Sequence, residues 1–226
     1  MTNQLVITDD GSHSVISEEF NEQYHSRHGA IQESKHVFIN AGLLQKINLQ
    51  KEIFILEIGF GTGLNALLSC IESENHQQKI SYTAIEKFPL KKEVFIKFNF
   101  CDFLENKNSI NYFDKILNCN WNISEIISPF FTLKKVLQNI EDCDFPKKFD
   151  VIYFDAFAPT AQPELWTEVI FESMYNALKK DGVLVTYCAK GEVKRTLKKS
   201  GFKVESLPGP AGKREMTRAV KKNRPG

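Results

Sequence analysis

The stretch that most limits the possible folds is EIFILEIGF, Glu52–Phe60, followed by GTGLNALLSCIES. Ile, Leu and Phe crowd the first run on both faces, so as a strand it has to be covered on both sides. Glycines at 59, 61 and 63 end it, and the residues beyond have helical spacing. A buried strand that feeds a helix is the repeating unit of a parallel sheet, which needs a long crossover between neighbouring strands.

The unit recurs. KISYTAIEK, Lys79–Lys87, predicts the next strand, and PLKKEVFIKF predicts a helix with Pro89 near its first turn. Cys101 to Pro129 mixes Asn, Ile, Phe and Trp121 and suggests short helices. FFTLKKVLQNI suggests a strand entering a helix, and FDVIYFDAF is the clearest strand. QPELWTEVIFESMYNALKK predicts an amphipathic helix stopped by the turn at Asp181-Gly182. GVLVTYCA is another buried strand and KGEVKRTLKKSG a basic helix. FKVESL and EMTRAVK alternate apolar and polar and are joined by PGPAGKR, as an antiparallel pair would be. The expected architecture is α/β: a Rossmann-like, mostly parallel, seven-stranded sheet with an antiparallel edge. Residues 51–226 form this domain, and residues 1–50, which break the alternation, form a small N-terminal cap or lid.

The 226 residues are 42% hydrophobic and 25% charged, as expected of a soluble globular domain. No apolar run reaches the ~18 residues of a membrane helix. MTNQLVITDDGSH has no signal-peptide pattern. The five cysteines are oddly numbered, widely spaced and without a C-x-x-C pair, which predicts reduced thiols in a cytoplasm. The histidines show no H-x-x-x-H spacing, so no metal is expected. Net charge is +1, but from Lys179 onward fourteen Lys/Arg stand against four Asp/Glu. That basic last fifth is either a polyanion-binding surface or a solvated helix face with a disordered KKNRPG tail.

The first strand ends in the pattern Glu57-x-Gly59-x-Gly61-x-Gly63. A nicotinamide fingerprint would place its third glycine at 64, where this chain has Leu64. The spacing instead fits the loop of Rossmann-like methyltransferases that bind S-adenosylmethionine. Glycines let backbone approach the ligand, and N–H groups at the helix start can meet its carboxylate. Glu86 ends the next strand, where a carboxylate can accept from both ribose hydroxyls.

GFGTGLN, EKFPL, DAFAPTAQPELWT and GKREM, in that order, together with YHSRHGAIQESKHVFI near the start, resemble the tRNA 5-(aminomethyl)uridine methyltransferases of the MnmD type. That family is equivalent to the N-terminal half of bifunctional MnmC. The resemblance implies methyl transfer from S-adenosylmethionine to the exocyclic amine of 5-aminomethyl-(2-thio)uridine at the tRNA wobble position. The partner it implies is the anticodon stem-loop. It also implies a stand-alone methyltransferase, because no second nucleotide-binding fingerprint follows and no flavin is needed. Glu57, Gly59, Gly61, Gly63, Asn65, Glu86 and Lys87 would line the cofactor pocket by this resemblance, and Tyr24, Gly29, Glu33 and Ser34, which match the family's lid segment, would belong to the same pocket. The family pattern has a Gly-Asp pair ending the strand before FDVIYFDAF. Here Thr132 in SPFFTLKKV stands nearest, without an acid, so adenine recognition would fall to backbone, the Thr132 hydroxyl or the apolar wall of Phe130 and Phe131.

The apolar strand FDVIYF runs into Asp155. A primary alkylamine is mostly protonated near neutral pH, and a carboxylate beside the methyl donor can bind that cation and help it lose a proton. Phe157 is a candidate stacking surface for a flipped uracil, and Pro159 stiffens its loop. Trp166 fits core packing better. Lys213 and Arg214 of GKREM could contact tRNA phosphates or the nucleotide. Two other readings remain: a methyltransferase for a different amine, and a non-catalytic RNA-binding module.

Overall fold

The computed structural model describes residues 4–17 and 19–222; residues 223–226 of the KKNRPG tail lie outside them. The chain begins with a small antiparallel sheet of β1 (Gln4–Ile7), β2 (His13–Ser17) and β3 (Glu22–Gln23). Helix α1 (Ala30–Ser34) follows and runs on into a π-helical turn, Lys35–Asn40.

The main domain then alternates β4 (Glu52–Ile58), α2 (Leu64–Asn75), β5 (Lys79–Glu86), a single turn α3 (Lys92–Phe95) and α4 (Ser109–Asn118). After these come β6 (Ser124–Ser128), β7 (Phe131–Leu137), β8 (Phe149–Phe154) and α5 (Glu168–Ala177). The chain closes with β9 (Leu178–Thr186), α6 (Gly191–Lys199), β10 (Lys203–Pro208) and β11 (Glu215–Val220).

One sheet of eight strands, in the order β10-β11-β9-β8-β4-β5-β7-β6, holds all of these strands. The five central strands are parallel, and both margins are antiparallel. The two-residue period of a strand sends alternate side chains to opposite faces. Ile53, Ile55, Val151, Tyr153, Val183 and Val185 join one core with α2 and α4. Leu56, Ile58, Ile152, Phe154 and Leu184 join the other with α5 and α6.

Three expectations are corrected. The sheet has eight strands, not seven, because Ser124–Ser128 is a strand rather than part of a helix. It is an edge strand whose Ile126 faces solvent at 76% exposure, so it lacks the doubly apolar run that marks a buried one. FFTLKKVLQNI enters no α-helix; β7 is followed only by a 3-10 turn at Ile140–Asp142. The helix predicted from QPELW to Lys180 divides into a 3-10 turn at Pro163–Trp166 and α5, and Lys179 to Gly182 already belong to β9. Asp181 takes a left-handed φ of 58° where the β8–β9 register shifts. The turn signal therefore marks an irregular stretch of strand.

Lys135 on β7 is only 2% exposed, yet it is a cation. Its Nζ donates to the Ile116 and Leu117 carbonyls at the end of α4, both at 3.0 Å, between the rings of Phe60 and Trp121. It thereby satisfies two carbonyls that a helix end leaves open. Lys135→Met keeps most of the stem packing and removes both bonds. We expect a loss of about 1–3 kcal/mol in urea unfolding. Parental stability would mean that those carbonyls find other partners.

Candidate active site

From β4 the chain winds outward through β5 and β7, then returns to β8 on the other side of β4. No connection covers the gap between the ends of β4 and β8, and such a switch point is where open α/β sheets bind ligands. A cleft of about 360 Å³ lies there. Its floor is the loop after β4. One wall is the β5 tip with Gln138 and Asn139 after β7. The other wall is Asp155 to Ala158 after β8, and Tyr24, His25, Glu33 and Lys213 close it from above.

The floor owes its shape to missing side chains. Gly59 has φ 88°, and a Cβ there would lie 2.7 Å from the Asp155 carbonyl oxygen. Gly61 has φ 51°, and its Cβ would meet the Tyr24 ring at 3.2 Å. Both conformations favour glycine. The cap holds the loop as well: His25 Nε2 and Thr62 Oγ1 are 2.8 Å apart, and burial pushes the imidazole down to about 4, so it is neutral at pH 7.

Glu86 accepts the Gly61 N–H at 3.1 Å on one oxygen and the Phe88 N–H at 2.8 Å on the other. Each carboxylate oxygen keeps a free acceptor position toward the cleft. This geometry fits the ribose of S-adenosylmethionine, and the open backbone at Gly59 and Gly61 fits its close approach. Asn139 lies at the neighbouring tip; its Nδ2 donates to Glu141 Oε2 at 2.8 Å, which leaves its amide oxygen for the edge of an adenine.

Asp155 stands at the β8 tip, where its N–H donates to the Ile58 carbonyl at 3.0 Å. Asn65 Nδ2 gives one hydrogen to Asp155 Oδ2 at 2.8 Å and the other to Glu57 Oε1 at 2.9 Å. Burial, and next the negative charge of Glu33, push the Asp155 carboxyl up to about 7, against the Asn65 bond and the Lys213 cation. Burial pushes Glu57 well above the ordinary carboxylate range. The helix that follows is N-capped by Thr167, so Asp155 is free of that structural duty.

Phe157 is fixed at both backbone ends: its N–H donates to Gln162 Oε1 at 3.0 Å and its carbonyl accepts from Trp166 Nε1 at 2.9 Å. Its ring meets those of Phe20 and Tyr24, with centroids 4.9 and 4.8 Å apart. Trp166 itself is buried against Phe154 and Phe171.

Of the residues singled out in the sequence, Tyr24, Gly59, Gly61, Asn65, Glu86, Lys87, Asp155, Phe157 and Lys213 line this one cleft, as does Glu33. Others do not. Glu57 is wholly buried behind Asn65 and reaches the cleft only through it. Gly63 lies beneath the floor at the start of α2, against Phe60. Ser34 is buried on α1, Pro159 sits in the turn beyond the wall, and Arg214 points to solvent. Thr132 is corrected outright. It pairs with Ser81 near the start of β7, at the opposite end of the sheet, while the β7 tip pairs with Glu86. The residues beyond that tip are Gln138 and Asn139, which following the strand to its end would have found. Tyr187 and Gln162 gave no sequence signal.

The fold and this site define an S-adenosylmethionine-dependent methyltransferase of the Rossmann-like class, and a family model described as S-adenosyl-L-methionine-dependent methyltransferase matches residues 128–222. Within that class the chain is similar to MnmC proteins. It is 33% identical over 213 residues to the tRNA 5-methylaminomethyl-2-thiouridine biosynthesis bifunctional protein MnmC of Leptospira interrogans, a match that covers 89% of the chain and 33% of that protein. The MnmC of Campylobacter hominis is 30% identical over 211 residues, covering 91% of the chain and 31% of that protein. The chain thus spans about a third of the length of these curated relatives. The crystal structure of MnmC2 from Aquifex aeolicus superposes with a TM-score of 0.81 at 28% identity, covering 100% of this chain and 72% of that one.

The glycines should rank by what they face. At Gly59 the obstacle is backbone, and at Gly61 it is a ring that can turn. Gly59→Ala should therefore weaken S-adenosylmethionine binding more than Gly61→Ala in calorimetric titration. Equal, parental affinities in folded variants would remove this loop from the cofactor site.

Proposed function

We propose that this protein methylates the exocyclic amine of 5-aminomethyl-(2-thio)uridine at the wobble position of tRNA, within the cytoplasm. The observation that supports this most is Asp155, a half-buried carboxylate pushed up to about 7 at the strand tip beside the glycine loop. The names of the MnmC relatives point to the same modification.

When bound, S-adenosylmethionine supplies an electrophilic methyl group on a sulfonium; the rest is work for the chain. Gly59 and Gly61 leave room along the floor, and Glu86 and Asn139 hold the nucleoside end. Asp155 binds the substrate ammonium, orients its nitrogen and accepts the proton that must leave before the lone pair can attack. Positioning for in-line displacement provides much of the acceleration. Phe157, locked by Gln162 and Trp166, offers a rigid edge for the flipped base.

The direct test is to incubate the protein with labelled S-adenosylmethionine and tRNA carrying 5-aminomethyluridine and to identify the labelled nucleoside. Label in an unrelated small amine, with none in tRNA, would favour the other methyltransferase reading.

Asp155→Asn keeps the bond from Asn65 but removes the charge. We expect turnover to fall on the order of a hundredfold at neutral pH, with S-adenosylmethionine affinity little changed. Asp155 works as the anion, so parental kcat/KM should rise with pH through about 7. The variant should lack that limb and recover only as pH approaches the amine's own pKa. Near-parental turnover at neutral pH would end the proposed role.

The basic C-terminal region is the proposed tRNA contact. Lys194 is committed to Ser206 and Glu215, while Lys198 and Lys199 are exposed. Replacing Lys198 and Lys199 with Gln should flatten the salt dependence of tRNA binding; Lys194→Gln alone should change it less. An identical slope in the double variant would mean these lysines are merely solvated.

A further inference from the structure

One wall of the cleft already holds an ammonium group. Glu33, on α1 of the cap, is 8% exposed; its Oε2 accepts the Ser26 N–H at 2.8 Å and its Oε1 accepts Lys213 Nζ at 2.6 Å. Lys213 arrives from the loop between β10 and β11, and its Nζ also lies 4.1 Å from the centre of the Tyr187 ring. The Tyr187 hydroxyl donates at 2.9 Å to the carbonyl of Ala156, the residue after Asp155. A carboxylate beside an electron-rich ring is a general seat for an alkylammonium ion. Here that seat adjoins the Asp155 carboxylate in a single cleft.

We propose that Glu33 and Asp155 together form a two-carboxylate seat for the substrate's ammonium, and that Lys213 occupies the Glu33 half in the free protein and yields it when the amine enters. This rests on the reading that the substrate is an alkylammonium. One ammonium is exchanged for another, so Glu33 is never left buried without a counter-charge, a state that is costly. The loop that carries Lys213 can move without unpicking the sheet, since it lies beyond the last β10–β11 pair, Pro208 with Glu215.

The groups facing Asp155 are Glu33 from the cap, Lys213 from the hairpin, Glu57 from β4, Tyr82 from β5 and Tyr187 after β9. Burial holds the last three toward their protonated, neutral forms. Glu33 and Lys213 are therefore the charges that Asp155 senses, with opposite signs.

The test compares affinity for two anticodon stem-loops, one with 5-aminomethyluridine and one with plain uridine, without cofactor. The ratio cancels phosphate contacts common to both. Glu33→Gln keeps an oxygen for the Ser26 N–H, and should lower the preference for the amine-bearing RNA by about tenfold, the scale of one charge-assisted hydrogen bond. Lys213→Met removes the competing ammonium and should raise that preference. With cofactor present, the acid limb of kcat/KM should move to lower pH in Glu33→Gln and to higher pH in Lys213→Met. Opposite movements cannot come from loss of a structural strap between cap and hairpin. An unchanged preference in Glu33→Gln, or a shift in the same direction in both variants, overturns the proposal. Loss of S-adenosylmethionine affinity in Glu33→Gln would also overturn it, by moving Glu33 to the cofactor. A parent protein with no preference for the amine-bearing RNA would overturn both the substrate reading and this seat; a parental preference that survives Glu33→Gln would overturn the seat alone.

Discussion

Everything in the site depends on how closely β4 and β8 lie where they end. They are parallel neighbours, yet the chain reaches β8 only after travelling out through β5 and β7 and back. The backbone after β4 must then pass directly beside the backbone after β8. It does so only because position 59 has no side chain: the Asp155 carbonyl oxygen occupies the space a Cβ would need. The glycine loop and the position of the Asp155 carboxylate are thus two sides of one steric requirement. Glycine in this place serves the neighbouring strand as much as any ligand.

Four of the carboxylates in or behind this small volume are held by different donors, and each is given a different environment by them. Glu57 is fully buried with one amide hydrogen from Asn65, and burial drives it toward the neutral acid. Glu86 receives two backbone N–H groups, which offset part of its desolvation. Glu33 has a backbone N–H and a full counter-ion. Asp155 shares the single amide of Asn65 with Glu57 and is poised near neutrality. Environments that push like groups apart are how one site assigns an acid, a ligand and a base among the same side-chain type. Asn65 is central to this, because both its hydrogens are spent holding one neutral and one ionisable carboxyl in register.

The legible part of the fold was the part buried on both faces. EIFILEI, KISYTAIE and FDVIYF announce themselves because no polar alternation interrupts them, and each strand tip could be found by following the run to its end. Glu86 and Asp155 were located that way. Thr132 failed because FFTLKKVL alternates apolar with Lys and Thr, so its end was placed too early; the pairing of Leu137 with Glu86 puts the tip five residues later. β6 was invisible because an edge strand exposes one face, and Ile126 lies on it. The Glu33–Lys213 pair was beyond any local pattern. Its members are 180 residues apart, and charge alone does not say which partner a surface lysine will find.

That distant pair bears on how recognition is divided in the molecule. The strand tips carry Glu86, Asn139 and Asp155 into the cleft, and the parallel sheet fixes them rigidly. The antiparallel margin and the cap are joined to each other, and the cap also meets the floor through His25 and Thr62. Besides Glu33 and Lys213, His36 meets the Pro208 carbonyl at 2.8 Å, and Gly212 packs where any Cβ would strike the His28 ring. Cap and hairpin therefore form one roof made from the two ends of the chain, and its contacts lie in loops and polar pairs. Such contacts open at lower cost than sheet pairing.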